Sequence, residues 1–195
     1  MNPADETAPR MRSDARRNME LIRDAALQVF GEGGLTSPLD EVARVAGVSK
    51  GTIYNRYGGR EGLIDAVVED LVAERIAGLM AAAAALDDPV ERFESYLRRL
   101  WLLQYDEPAA NDVLLRTAPG SRRLSGLCEK TSTLAAELLA GAQAAGGVRS
   151  DLTIEDIASL IWERGIIARA CVERPREAYE RSLTFILDGL RARAA

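Results

Sequence analysis

Residues 37–57, SPLDEVARVAGVSKGTIYNRY, read as two short helices joined by a tight corner and followed at once by the Gly58-Gly59 pair. In the first helix Leu39, Val42, Ala43 and Ala46 recur at helical spacing and make one apolar face. Ser37 is placed to cap it through the N–H of Asp40, with Pro38 at the first helical position, where a missing donor costs nothing. Asp40 and Glu41 then meet the positive helix end. Gly47 stops the helix by tolerating a left-handed backbone, Val48 plugs the corner, and Ser49 caps a second helix from about Lys50 to Tyr57. That helix has two inward anchors, Ile53 and Tyr57. Its donors, Ser49, Lys50, Gly51, Thr52, Tyr54, Asn55 and Arg56, are left for a groove wall or floor. The corner alone reads equally well as an ordinary helical hairpin.

The flanking sequence favours a helix-turn-helix. Upstream, Ile22, Ala25, Ala26, Val29 and Phe30 form one apolar stripe, ended by Gly31 and the Gly33-Gly34 pair. Downstream, residues 60–64 open a helix whose Leu63, Val67, Leu71 and Ile76 bury one side, with Arg60 beside an N-terminus suited to phosphate. With these segments in place, residues 22–68 resemble the TetR family of bacterial transcriptional regulators. IRDAALQVFGEGG (22–34), LDEVARVAGVSKGTIYNRY (39–57) and REGLIDAVV (60–68) follow that family's order and spacing. The resemblance implies that the second motif helix enters the major groove, that Tyr54 touches a phosphate, and that Arg60 clamps the backbone. It gives Ser49, Lys50, Gly51, Thr52, Tyr54, Asn55, Arg56 and Arg60 as the DNA-contacting set. The chain departs from the family pattern in three places. Ser37-Pro38 stands where paired threonines are common, Arg60 where lysine is usual, and Arg56 where histidine or asparagine is usual. Arginine still serves phosphate, and it also bridges guanine.

Charge is unevenly spread. The chain of 195 residues carries a net charge of -5, yet residues 1–60 hold nine Lys or Arg against eight Asp or Glu. Arg10, Arg12, Arg16 and Arg17 precede the first helix with Asp14 alone opposing them, which suits a flexible basic arm over residues 1–17. A solvated tail is the alternative reading. No apolar run approaches the roughly 20 residues that span a bilayer, and residues 1–15 have no secretory apolar core, so a cytoplasmic protein without membrane contact is expected.

Beyond about Asp70 no strand pattern occurs. An alanine-rich helix ends at Asp87-Asp88-Pro89. Further helices follow over about 89–104, 109–117, 121–145, 153–172 and 175–193, the fourth opened by a Thr153 to Asp156 capping pattern. The expectation is an all-α chain of about nine helices. Residues 18–65 form the helix-turn-helix domain, and residues 66–195 form a larger helical domain.

The last two helices carry wide apolar faces, including Ile157, Ile161, Ala168, Leu183, Ile186 and Leu190. Each face reads either as intramolecular core or as an interface; the resemblance implies a homodimer paired through these helices. It also implies a small-molecule pocket. Phe93, Tyr96, Trp101, Leu114, Leu127, Leu134, Trp162 and Ile166 are the candidate lining, with Tyr96, Trp101, Trp162 or Glu163 as polar handles and core packing as the competing reading. Aromatics make up 5% of the chain, and this points to a hydrophobic or amphipathic ligand.

Catalysis is disfavoured. The chain has no histidine, its two cysteines cannot build a zinc site, and Gly31-Glu32-Gly33-Gly34 lacks the preceding strand of a nucleotide loop. No cofactor or metal is expected. Cys128 and Cys171 read as buried thiols or as a redox pair. The function expected is a DNA-binding regulator, chiefly a repressor released from a palindromic operator by its ligand. An activator, or a helical ligand-binding module that no longer binds DNA, is the alternative.

Overall fold

The computed structural model describes residues 7–115, 122–170 and 175–192. Within them the secondary structure is α-helical. The helices are α1 (Thr7–Gly33), α2 (Leu39–Ala46), α3 (Lys50–Tyr57), α4 (Arg60–Val68), α5 (Glu74–Ala84), α6 (Pro89–Asp106), α7 (Pro108–Leu114), α8 (Arg122–Ala144), α9 (Ile154–Ala170) and α10 (Arg176–Leu190). A π-helical turn, Glu69–Ala73, joins α4 to α5. These are ten helices where about nine were expected. Helix α1 runs from Thr7, so the stretch expected as an arm is helical from that residue on.

The motif helices form where local chemistry directs. Gly47 adopts φ 65° and lets Val48 N–H bond back to Ala43 O at 3.0 Å, which turns the chain after α2. Ser49 Oγ accepts the Thr52 N–H at 3.2 Å and starts α3; Gly58, at φ 74°, ends it. The expected Ser37 cap is not made. Pro38 is the N-cap of α2, no side chain caps that end, and the Ser37 hydroxyl turns to Val29 O at 3.5 Å instead. Its carbonyl is taken by Arg60.

The larger part is framed by two side-chain caps. Asp88 accepts from the N–H groups of Val90 and Glu91 to start α6. Thr153 and Asp156 cap α9 reciprocally, Thr153 N–H to Asp156 Oδ2 at 2.9 Å and Asp156 N–H to Thr153 Oγ1 at 3.2 Å. An antiparallel bridge between Val148 and Arg191 ties the α8–α9 turn to the end of α10.

Two cores result. The first gathers Ile22, Ala26, Phe30, Val42, Ile53 and Leu63 from the first four helices, but continues through Ile76 into Ala110 and Val113 of α7 and Cys128 of α8. The helix-turn-helix is therefore packed onto the body rather than closed on itself. Fully burying a side chain such as Ile53 stabilises by roughly 1.5–3 kcal/mol. The second core centres on Phe93, Tyr96, Leu97, Leu100 and Trp101 of α6 and is closed by Leu138, Ile157, Tyr179 and Leu183. Gln104 is buried at the end of the same α6 stripe.

Candidate functional site

Helix α3 buries Ile53 completely, and Tyr57 donates its hydroxyl to Met19 O at 2.8 Å. The opposite side is open: Ser49, Lys50, Gly51, Tyr54, Asn55 and Arg56 are exposed, and Thr52 is half-buried. Seven of the eight expected DNA contacts thus lie along one short helix and its cap. The Tyr54 ring, 52% exposed, lies against Gly59, where a Cβ would meet Cε1 at 2.9 Å. Gly59 has φ 100°, which favours glycine, and its bareness leaves room for the ring to lie there.

Two cations on this surface are already engaged. Lys50 Nζ bonds Asp40 Oδ2 at 2.9 Å, linking α3 to the start of α2. Arg60 departs from expectation. Its Nη1 donates to Leu35 O at 2.5 Å, its Nη2 donates to Ser37 O, and its guanidinium lies 5.9 Å from the Phe30 ring centroid. It is half-buried and holds the α1–α2 loop, instead of standing free as a clamp for phosphate. The reason is geometric: the loop turns two carbonyls toward the N-terminus of α4, and a forked donor satisfies both.

A second feature lies in the body. A cavity of about 250 Å³ opens between α6 (Tyr96, Leu100), α7 (Leu114), α8 (Cys128, Thr131, Ser132, Ala135) and α9 (Ile154, Ile157, Ala158, Ile161, Trp162). These lining residues carry no charge. The Tyr96 hydroxyl donates to Thr131 O at 2.9 Å and Cys128 Sγ donates to Val113 O at 3.1 Å. Burial pushes the Tyr96 phenol above its ordinary value.

Of the residues expected in the pocket, Tyr96, Leu114 and Trp162 line this cavity. Phe93 and Trp101 are instead wholly buried core, Leu127 and Leu134 pack at the margin, and Ile166 is 53% exposed. Glu163 is exposed and lies outside the lining. Ile157 and Ile161, expected in a dimer interface, line the cavity. Leu183 and Leu190, from the same expectation, are buried within the chain, whereas Ala168 and Ile186 are half-buried. The large apolar side chains that α9 and α10 do expose are Trp162, Ile166 and Phe185, the last at 68%. Helix periodicity marks both sides of a two-faced helix as apolar, so it could not separate these sets. Cys171 lies outside the described residues.

The family models for the two parts match this chain in order. Residues 22–67 match "Bacterial regulatory proteins, tetR family", and residues 88–192 match "Transcriptional regulator SbtR-like, C-terminal domain". The chain belongs to the TetR family. The chain is 41% identical over 68 residues to the transcriptional regulatory protein RaaS of Mycobacterium tuberculosis, covering 35% of this chain and 32% of that protein. It is 33% identical over 91 residues to the regulator BetI of Rhizobium meliloti, covering 46% of this chain and 44% of BetI. The matches span less than half the length of either relative.

Over the whole TetR fold, a TetR transcriptional regulator of Streptomyces coelicolor superposes with a TM-score of 0.52 at 32% identity, covering 90% of this chain and 99% of that one. The ketosteroid regulator KstR2 of Mycobacterium tuberculosis shares the fold with a TM-score of 0.64 at 18% identity, covering 91% and 96%. The TetR family is one of DNA-binding transcriptional regulators, not enzymes. Among the described residues no helix is long and apolar enough to cross a membrane.

Proposed function

We propose that this protein is a cytoplasmic transcriptional repressor. It binds a palindromic operator as a homodimer and is released by a small, uncharged, hydrophobic or amphipathic ligand. The observation that carries the reading is the pairing of an open, donor-rich α3 face with an uncharged cavity beneath α9. Ser49, Lys50, Gly51, Thr52, Tyr54, Asn55 and Arg56 meet the major groove and its phosphates, while Arg60 orders the loop behind them.

The dimer is proposed to form through the exposed Trp162, Ile166 and Phe185, with Ala168 and Ile186 at its margin. A two-fold pair sets two α3 helices about one DNA turn apart, and the operator then takes the same symmetry. A ligand that fits only the conformer with other spacing weakens operator binding by its differential affinity, typically about 1–3 kcal/mol. The absence of charge in the cavity wall supports a ligand without a formal charge at its buried end, since an unpaired buried ion is costly.

The test is selection of bound sequences from a random duplex library with the full chain, followed by affinity for the selected site at several salt concentrations. An enriched inverted repeat, bound by a dimer with affinity falling as salt rises, supports the reading. A folded protein that enriches no sequence and shows no salt-dependent binding refutes it. Repression is then read from a reporter carrying the selected site, which falls when the protein is supplied.

A further inference from the structure

The helix that supplies five of the cavity-lining residues, α9, ends at a contact with the helix-turn-helix. Arg169 Nη1 bonds Asp112 Oδ1 of α7 at 2.5 Å, and Arg169 Nη2 bonds the Thr36 hydroxyl at 2.6 Å. The Thr36 N–H in turn donates to Asp112 Oδ2 at 3.3 Å, so three residues from three parts of the chain close a ring. Thr36 sits in the short loop that leads into α2, the same loop whose carbonyls Arg60 holds from the other side. The approach is close: Gly34, at φ 84°, has no room for a Cβ, which would lie 2.5 Å from Asp112 Oδ2.

Between cavity and ring, α9 is pinned by amides. Gln104 Nε2 donates to Ile161 O at 3.2 Å and to Asn111 Oδ1 at 3.0 Å, and Asn111 Nδ2 donates to Gly165 O at 3.0 Å. Gly165 permits this, since a Cβ there would meet Gln104 Nε2 at 2.5 Å. The helix is thus held between Ile161 and Gly165, with Ile154, Ile157 and Ala158 of the cavity wall before the hold, Ile161 and Trp162 within it, and Arg169 beyond it. Asp112 is 2% exposed and fixed, whereas Arg169 is 45% exposed. A space of about 420 Å³, whose walls include Glu32, Tyr105, Pro108, Asp112 and Arg169, leaves the arginine room to part from its partners.

We propose that Arg169, Asp112 and Thr36 form a latch through which occupancy of the α9 cavity reaches the helix-turn-helix. Filling the cavity displaces α9 about its amide hold, Arg169 loosens from Thr36, and the loop that sets the start of α2 loses one of its side-chain anchors. The proposal rests on the cavity being the effector site. It adds the residues that carry the signal, in a ring with two arrangements, closed and open.

The test needs no identified ligand. In the full chain, Ala158→Phe or Ser132→Phe fills the cavity mouth, and hydrogen exchange is read at the Thr36 and Ser37 amides. Each filling substitution is made in the parent, in Arg169→Gln and in Thr36→Val, with thermal melting to verify folding and with Ser37 alone read in the Thr36 variant. Filling is expected to speed exchange several-fold in the parent and to leave it unchanged in the two latch variants. Equal acceleration with and without Arg169, or no acceleration from either filling substitution in the parent, overturns the latch. The same proteins are titrated against the selected operator. A loss on the order of tenfold on filling the parent, absent from Arg169→Gln, is the matching result. If the parent binds no operator, the proposed function falls while the exchange arm still decides the latch.

Discussion

The carbonyl oxygen of Tyr57 occupies the space a side chain on Gly62 would need, for a Cβ there would lie 1.7 Å from it. The contact locks the end of α3 against the first turn of α4, and the obstructing atom is backbone, which has no rotamer to change. Gly62→Ala is expected to cost about 1–3 kcal/mol, read as a lower denaturant midpoint. Gly78→Ala is the matched control: it is exposed in α5 with nothing within 4 Å, and should gain about 0.5–1 kcal/mol from helix propensity. Equal behaviour of the two variants would contradict the packing account.

Arg60→Ala leaves the Leu35 and Ser37 carbonyls without their shared donor, and the expected loss of stability is about 1–3 kcal/mol. Arg60→Lys should not recover it, because one ammonium does not reproduce a fork aimed at two acceptors. Operator affinity falls for every sequence alike. If Arg60→Ala weakens DNA binding while the melting temperature is unchanged, the residue acts at phosphate after all.

On α3 the effects divide. Tyr54→Phe removes a hydroxyl at the rim and is expected to weaken all duplexes equally. Lys50→Ala and Asn55→Ala should shift base preference by about 1–3 kcal/mol at individual positions. Competition of a panel of single-base operator variants measures the difference. Parallel losses for all three substitutions would erase the division.

Phe185→Glu and Ile166→Glu put a charge on the apolar faces that α10 and α9 expose. Each is expected to yield a folded monomer by sedimentation and to abolish operator binding, since both sites of a palindrome must be filled together. A dimer that survives both substitutions pairs through another face.

Burial raises the Tyr96 phenol above its ordinary value of 10.0, so the folded chain keeps this proton where the unfolded chain has lost it. The unfolded state then binds fewer protons, and stability falls as pH climbs above 10. Below that pH the contribution is fully present. Denaturant midpoints measured across the alkaline range in the parent and in Tyr96→Phe check this: the parent's slope is steeper. Tyr96→Phe also removes the side-chain bond to the Thr131 carbonyl, at about 1 kcal/mol near neutrality.

The parts legible in the sequence are those decided locally. Gly47, Ser49 and the Thr153–Asp156 pair act within a single turn, and the Ile22 to Phe30 stripe needs no knowledge of its partner to show its period. What stayed hidden depends on residues far apart in the chain. Arg60 meets Leu35 across 25 positions, and Arg169 meets Thr36 across 133. Ile157 and Trp162 are five residues apart on one apolar helix, yet the first is wholly buried and the second half-exposed. No periodicity distinguishes them, because which side faces inward is set by where α6 and α8 lie.

The pairing of Lys50 with Asp40 has a consequence for how the free protein travels along DNA. The cations released when a lysine neutralises a phosphate come from the DNA, but Lys50 must first leave Asp40, whose bared carboxylate draws a cation back. That residue therefore adds less than a full charge to the entropy that holds a protein on arbitrary sequence. Grip on random DNA is blunted, and the lifetime of wrong encounters shortens with it. In the proposed operator complex Lys50 trades Asp40 for a base edge, and the penalty is met once, where it serves discrimination.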